Sequence, residues 1–154
     1  MIRPSIETDI RTILDIWLNA SIKAHDFVAA DFWQSQVDNM RDIYLPASQS
    51  FVFQLDADVI GFYSLNENTL AAIFVSPDFQ GKGIGKQLIA HARAQVINGN
   101  HDDKNDGPNL KLKVYAENEA SFNFYLSQGF YVEGQQECEY TGCLEYTMKL
   151  KDER

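Results

Sequence analysis

Cysteine, basic residues and long apolar runs are all scarce in this chain, and each shortage excludes a class of protein. The two cysteines, Cys138 and Cys143, are too few for a disulfide framework and lack the spacing of a zinc site. Only 13 residues are basic against 22 acidic ones, and the net charge of −9 argues against a nucleic-acid partner, because phosphate binding needs a clustered basic surface. No apolar run approaches the ~20 residues that cross a bilayer.

The remaining composition is that of an ordinary globular domain, which we expect to span residues 1–154. Apolar residues make up 45% of the chain, with 9 glycines and 4 prolines among its 154 residues. The segment Met1–Ser5 lacks the apolar core of a signal peptide, so we expect a cytoplasmic protein without a membrane partner. The acidic charge would suit a cationic substrate, although solubility is the simpler explanation.

Apolar periodicity in the first half of the chain predicts two helices and then a β-meander. The first helix starts at an N-cap, Thr8, and runs to about Ile22. The second follows Asp31 and places four apolar side chains on one face: Trp33, Val37, Met40 and Tyr44. Three antiparallel strands follow at 51–55, 59–65 and 70–75, and the third is apolar enough to lie in mid-sheet with both faces covered.

The second half alternates helices and strands. The pattern predicts a helix at 83–96, a mobile polar loop at 98–109, a strand at 110–115, a helix at 119–128 and strands at 130–139 and 144–150. Together with the first half, this order indicates the α/β (α+β) class, with a mixed sheet flanked by helices.

A glycine-rich turn at 80–85 joins the buried third strand to the following helix. Three glycines in five residues let a ligand approach the backbone, and the helix N-terminus offers unpaired N–H groups to an anion such as phosphate. A Walker loop is excluded, because Gly85-Lys86 is followed by Gln87, and the dinucleotide fingerprint Gly-x-Gly-x-x-Gly is also missing. Glycine placed there for steric reasons alone is the alternative explanation.

Two motifs resolve that choice. The segment Val75–Gly85 resembles the acyl-CoA signature Gln/Arg-x-x-Gly-x-Gly/Ala of the GCN5-related N-acetyltransferase (GNAT) family, and Asn118–Phe130 resembles the family's second signature, Asn-x-x-Ala-x-x-Phe-Tyr ending in Gly-Phe. Ser121 replaces the usual alanine, one small residue for another. The resemblance implies a splayed, mostly antiparallel mixed sheet of six to seven strands with about four helices.

The resemblance also implies an enzyme that transfers acetyl directly from acetyl-CoA to a primary amine, with no metal. Its donor site would comprise the end of the third strand, the turn and two residues of the second motif: Ile73, Phe74, Val75, Gln80, Gly81, Lys82, Gly83, Ile84, Gly85, Lys86, Asn118 and Tyr125. Tyr125 matches the family's usual general acid, and a phenol keeps its proton at neutral pH. Tyr125 as a core residue beside Phe124 is the alternative, since adjacent helical residues face different ways.

The acceptor side is less defined. Glu67 near the turn before the third strand is one candidate base, with Glu145 and Tyr146 as others. The simpler explanation for each is a solvated surface position, where Asp and Glu mostly lie. His25 and Phe27 lie between the first two helices, where family members line the acceptor site. The stretch Ile16–Trp33 also resembles a bacterial subgroup, some members of which act on protein lysines.

Several alternatives therefore stay open from the sequence. The acceptor is a protein lysine, a protein N-terminus or a small amine; the acyl group is acetyl or another short acyl; and a non-catalytic acyl-CoA sensor is the competing function. Dimers are common in the family, and the final strand offers an edge for homodimer pairing.

Overall fold

A seven-stranded sheet organises the computed structural model, which describes residues 1–98 and 109–151. Its strands are β1 (Ile2–Pro4), β2 (Gln49–Leu55), β3 (Asp58–Asn66), β4 (Thr69–Val75), β5 (Lys111–Tyr115), β6 (Phe130–Glu137) and β7 (Leu144–Leu150). They lie in the order β1-β2-β3-β4-β5-β7-β6, and β4 with β5 is the parallel pair among antiparallel ones. The predicted mixed, mostly antiparallel sheet is confirmed.

Helices cover both faces of the sheet. They are α1 (Ile10–Ala24), α2 (Ala30–Ser35), the single turn α3 (Val37–Asn39), α4 (Ile84–Asn98) and α5 (Glu119–Ser127). One apolar core lies between α1, α2 and the sheet, and a second lies under α4 and α5, where Leu88 is fully buried. Within the described residues, no helix is long and apolar enough to cross a membrane.

Asp9, and not Thr8, fixes the start of α1. Thr8 lies inside a short 3-10 turn, Glu7–Asp9, so its prediction as the N-cap was wrong. The Asp9 carboxylate accepts the N–H of Ile6 at 2.8 Å and forms an ion pair with Arg3 at 2.8 Å. The hydrogen bond from Arg3 lowers the pKa of Asp9, so the helix start is tied electrostatically to β1.

The second predicted helix is interrupted. After α2 and α3 the chain adopts a π-helical turn, Met40–Tyr44, in which the N–H of Leu45 donates to the carbonyl of Met40. A π turn takes more residues than an α turn, so the residues after it rotate off the predicted face. Leu45 is therefore buried, while Tyr44 is 42% exposed and does not join the buried side chains of Trp33 and Met40.

β4 and β5 separate almost as soon as they meet. Their register contains two pairs, Thr69 with Lys111 and Leu70 with Leu112, and the strands then diverge. The predicted splay is confirmed. β4 does lie in mid-sheet, but Ala71 is exposed at the point of divergence, so the prediction that both faces are covered holds only in part.

The final strand is not an edge. β7 lies between β5 and β6, so homodimer pairing through the final strand is corrected: the free edge at that end of the sheet is β6. Cys138 and Cys143 are free thiols at the end of the β6–β7 hairpin, where the N–H of Cys138 donates to the carbonyl of Cys143. Most of the predicted polar loop at 98–109 falls outside the described residues.

Candidate functional site

A cleft of about 1030 Å³ opens where β4 and β5 part. Its walls are the C-terminal end of α1, the second half of β4, the turn before α4, the end of β5 and the start of α5. Eleven of the twelve residues predicted for the donor site, all but Lys82, therefore border one space. The divergence of two strands, which loses backbone hydrogen bonds, is what makes room for a ligand inside the sheet.

The turn before α4 presents open backbone to this cleft. Gly81 and Gly83 have φ angles of +80° and +81°, a backbone conformation that residues with a Cβ atom rarely adopt. α4 begins at Ile84, and the unpaired N–H groups and positive dipole end of its first turn lie beside these glycines. Gln80 secures the turn, because its Nε2 donates to the carbonyl of Val75 at 3.0 Å. The arrangement suits a phosphate group.

The rest of the donor-site prediction falls along the same wall. Ile73, Phe74 and Val75 are half-buried in the cleft lining, on the part of β4 that has no β5 partner. An extended, amide-bearing arm can pair with such an edge as a strand does. Lys82 is not in the cleft lining, and its ammonium lies 5.4 Å from the ring centre of Phe79. The residues present therefore fit both the phosphates and the arm of an acyl-CoA.

Tyr125 on α5 is buried and borders the cleft. Its ring packs edge-on against Phe130, with 5.8 Å between ring centres, and burial raises the pKa of its hydroxyl. The phenol therefore holds its proton at neutral pH. Phe124 borders the cleft as well, and a Cβ on Gly85 would lie 3.2 Å from its ring. Phe124 and Tyr125 therefore both border the cleft, although adjacent residues of a helix face different ways.

Asn118 connects the helix of Tyr125 to the opposite wall. Its Oδ1 accepts the N–H of Ser121 at 3.3 Å and so caps α5, while its Nδ2 lies 3.3 Å from Nε2 of His25. Both side chains are buried. Burial lowers the pKa of His25 to about 4, so the imidazole is neutral at physiological pH.

His25 sits in an aromatic environment. Phe27, Trp33 and Tyr115 surround the ring at centre-to-centre distances of 5.7, 5.0 and 5.1 Å. Phe27 packs behind His25 and is not itself in the cleft lining. Glu67 lies at the β3–β4 turn, beside the end of β4 that still pairs with β5, and the structure does not bring it to the cleft.

We expect the buried histidine to make the free energy of unfolding depend on pH. Between pH 6.5 and about 4 the unfolded chain binds a proton at His25 that the folded chain does not. The contribution of the neutral His25 to the free energy of unfolding is therefore fully present above pH 6.5 and is lost on acidification. The loss is on the order of 3 kcal/mol. Urea denaturation of the native chain and of His25→Gln at several pH values measures it.

The His91→Gln variant is the control for this experiment. The pKa of His91 is also lowered by burial, so its replacement should remove a smaller part of the same slope. An unchanged slope in His25→Gln would contradict the assignment, because titration of His25 would then not limit stability in this range.

A second, smaller chamber of about 250 Å³ lies beside the cleft. The two spaces share five wall residues: Trp17, Trp33, Ala71, Ala72 and Tyr115. Tyr44 and Tyr140 complete the chamber on its exposed side, and the hydrogen bond between them raises the pKa of Tyr140 to about 12. Among the described residues that line the chamber, none is ionised at neutral pH.

Sequence reasoning missed several residues of these walls. Ser21 is 1% exposed and lines the cleft, although it was not singled out. A signal was present: Ser21 lies four residues after Trp17 and eight after Ile13, so a polar residue interrupts the buried stripe of α1. Tyr115 and Ala71 left no comparable signal, because their exposure follows from the divergence of two strands.

Comparison with known proteins places the chain among acetyltransferases. The acetyltransferase (GNAT) domain family matches residues 16–152. The chain is 35% identical over 133 residues to the peptidyl-lysine N-acetyltransferase YiaC of Escherichia coli, covering 86% of this chain and 84% of YiaC. It is 28% identical to the peptidyl-lysine N-acetyltransferase YjaB of the same organism, covering 92% and 88%.

Solved structures agree with the fold. The solution structure of apo YjaB from Escherichia coli superposes with a TM-score of 0.79 at 26% identity, covering 97% of this chain and 95% of that one. The PaiA N-acetyltransferase of Thermoplasma acidophilum, solved with coenzyme A, gives a TM-score of 0.75 at 18% identity, covering 99% and 98%. The overall fold is thus shared by the three chains.

Proposed function

The chain belongs to the GNAT acetyltransferase family, and from this premise we propose that it transfers the acetyl group of acetyl-CoA to lysine side chains of proteins. The protein is an N-acetyltransferase that uses acetyl-CoA. The proposal concerns its acceptor. It rests chiefly on the smaller chamber, whose described lining is apolar or aromatic apart from Gln36, Ser48 and Ser64 and contains no ionised group. Its relatives YiaC and YjaB are peptidyl-lysine N-acetyltransferases, which supports the choice.

The chamber suits the stem of a lysine better than it suits a polyamine. Four methylenes of a lysine side chain bury favourably against aromatic walls such as those of Trp17 and Trp33. A polyamine would place a second ammonium in the chamber, and burying a charge without a counter-ion is costly. The net charge of −9 favours cationic partners in general and does not distinguish the two.

The donor side follows from the cleft. The backbone N–H groups of Gly81–Lys86 would hold the pyrophosphate, and Ile73–Val75 would pair with the arm. When bound, acetyl-CoA supplies a thioester: the amine nitrogen bonds to the acetyl carbon, the carbon–sulfur bond breaks, the amine gives up one proton and the sulfur takes one. Tyr125, protonated and in the cleft wall, would donate the hydrogen bond that the departing sulfur needs.

The proton of the acceptor ammonium must leave before its nitrogen can attack. A histidine with a pKa of about 4 is too weak a base to hold that proton, so we assign His25 no such role. Glu145 is half-buried in the cleft lining, where its carboxylate accepts from Gln136 at 3.1 Å. We propose Glu145 as the base in preference to Glu67, which is exposed outside the cleft.

The acceptor assignment is tested by release of free thiol with a panel of amines. We expect a lysine peptide with a blocked N-terminus to react faster than spermidine or a peptide with a free N-terminus alone. Ser48→Phe narrows the chamber and should raise KM for the lysine peptide without changing acetyl-CoA affinity, whereas Ala47→Phe alters an exposed neighbour outside the lining. Faster turnover of spermidine would refute the lysine proposal.

A homodimer, where it forms by edge pairing, would use β6 instead of β7. β6 is the free edge at that end of the sheet, and Tyr131 and Val132 on it are each 41% exposed. An edge strand with exposed apolar side chains is a template for pairing with a second copy.

A further inference from the structure

The two free thiols of the chain lie opposite each other at the end of the β6–β7 hairpin. The register of the hairpin pairs Glu137 with Leu144, so the next pair outward is Cys138 with Cys143. The N–H of Cys138 donates to the carbonyl of Cys143 at 2.8 Å, which extends the pairing to these two residues. Directly opposite residues of an antiparallel pair point to the same face of the sheet, so both thiols lie on one face of the hairpin.

The spacing of such a pair suits a disulfide. Opposite residues that share a ladder hydrogen bond have Cα atoms about 5.5 Å apart, and a disulfide joins residues whose Cα atoms are roughly 4.4 to 6.8 Å apart. The four residues between the cysteines, 139–142, form the turn of the hairpin and belong to neither strand, so the turn is able to adjust without loss of strand pairing. A bond between the two sulfurs therefore requires no change of register.

Cys138 has the surroundings of a reactive thiol. Burial raises the pKa of this thiol, but hydrogen bonds from Thr141, Tyr115 and the backbone of the turn outweigh burial and lower the pKa on balance. The Tyr115 hydroxyl lies 3.2 Å from the Cys138 Sγ and accepts from the Thr141 hydroxyl at 3.5 Å, so its own proton is directed at the sulfur. This network favours the thiolate, which is the form that attacks in sulfur chemistry.

Cys143 is the more accessible of the two thiols. Its side chain is partly exposed, whereas Cys138 is buried. A small oxidant from solvent therefore reaches the Cys143 sulfur first. The Cys138 thiol lies opposite it on the hairpin, in the place of the second thiol that converts an oxidised cysteine into a disulfide.

We propose that Cys138 and Cys143 form a reversible disulfide when the protein meets a hydroperoxide. The Cys143 sulfur attacks a peroxide oxygen, the O–O bond breaks, and Cys143 becomes a sulfenic acid while an alcohol or water leaves. The Cys138 sulfur then attacks that of Cys143: the S–S bond forms, the S–O bond breaks, and the hydroxyl leaves as water with the proton of the Cys138 thiol. The two thiols lose two electrons, and the hydroperoxide gains them.

Oxidation in the absence of any substrate tests the pairing. Hydrogen peroxide should lower the thiol count of the native chain, measured with a chromogenic disulfide reagent, from two to none. The intact mass should fall by that of two hydrogen atoms, and dithiothreitol should restore both values. Cys138→Ser and Cys143→Ser should each abolish the loss of hydrogen, since each variant keeps a single thiol.

Three outcomes would overturn the disulfide. Addition of oxygen without loss of hydrogen would mean that the two sulfurs do not meet, and linkage between chains as the sole product would place the partner thiol on a second copy. Two thiols that persist at peroxide concentrations that oxidise glutathione would mean that Cys143 is unreactive. None of these measurements uses acetyl transfer, so each of them leaves the proposed function intact.

The disulfide would act on the acceptor side, a consequence that rests on the proposed function. Tyr115 and Tyr140 line the smaller chamber, and the new bond takes the Cys138 sulfur away from the Tyr115 hydroxyl. Oxidation should therefore raise KM for the lysine peptide about fivefold, the effect of one lost hydrogen bond, without changing the affinity for acetyl-CoA. Cys143→Ser treated with peroxide should keep the native KM. An unchanged KM in the oxidised native chain would overturn this link to the chamber.

Discussion

Replacing Tyr125 with phenylalanine should slow acetyl transfer by about a hundred- to ten-thousand-fold, the usual contribution of a positioned acid. The change removes one hydroxyl and keeps the ring that packs against Phe130, so we expect no loss of fold. Affinity for acetyl-CoA should stay within about twofold, because the lost interaction strengthens only as the sulfur departs. Thiol release under saturating donor and calorimetry of the donor measure the two quantities separately.

Tyr131→Phe is the control for this substitution, since it removes the same atom from an exposed tyrosine on the edge strand β6. Its rate should equal that of the native chain. If Tyr125→Phe also released thiol at the native rate, the buried phenol would be a packing residue and the acid would lie elsewhere.

Gly83→Glu should abolish binding of acetyl-CoA, lowering affinity by at least about a hundredfold. The substitution strains a φ of +81° and places a carboxylate at the N-terminal end of α4, where we assign the pyrophosphate. A Cβ at this position meets no atom within 4 Å, so the side chain itself has room and the fold should persist. Calorimetry gives the affinity, and circular dichroism checks the fold.

Two variants separate the causes of that loss. Gly83→Ala keeps the backbone strain without the charge, so it should weaken binding far less than the glutamate does. Gly142→Glu makes the same change at another glycine with positive φ and open surroundings, in the β6–β7 hairpin, and should bind the donor normally. Normal donor binding by Gly83→Glu would place the phosphates away from this turn.

Much of the fold could be predicted from patterns of neighbouring residues. Short stretches of sequence predicted the apolar stripe of α1, the meander of β2 to β4 and the alternating burial in and around β5, at Leu110, Leu112 and Val114. The structure confirms all three. The π turn after Met40 and the place of β7 between β5 and β6 depend on contacts between distant segments. Periodicity within one segment holds no information about either.

The candidate site likewise has a part that the sequence predicted and a part that depends on contacts between distant segments. The glycine-rich turn could be predicted from the sequence, because a backbone with positive φ angles favours glycine. Residues of both motifs do border one cleft. The contact of His25 with Asn118 joins the end of α1 to the start of α5, between residues 93 positions apart. Glu67 was predicted near the site because it precedes β4 in sequence. It lies at the end of β4 that pairs with β5, and the cleft opens at the other end.

The two residue pairs between β4 and β5 have a thermodynamic consequence. They divide the sheet into an N-terminal half, β1 to β4, and a C-terminal half, β5 to β7, each held by extensive antiparallel pairing within itself. A bound donor arm would supply the missing backbone bonds across this seam. The core under α4 and α5 already joins the two halves, and ligand occupancy would strengthen that coupling, so the free energy of unfolding should rise with donor concentration.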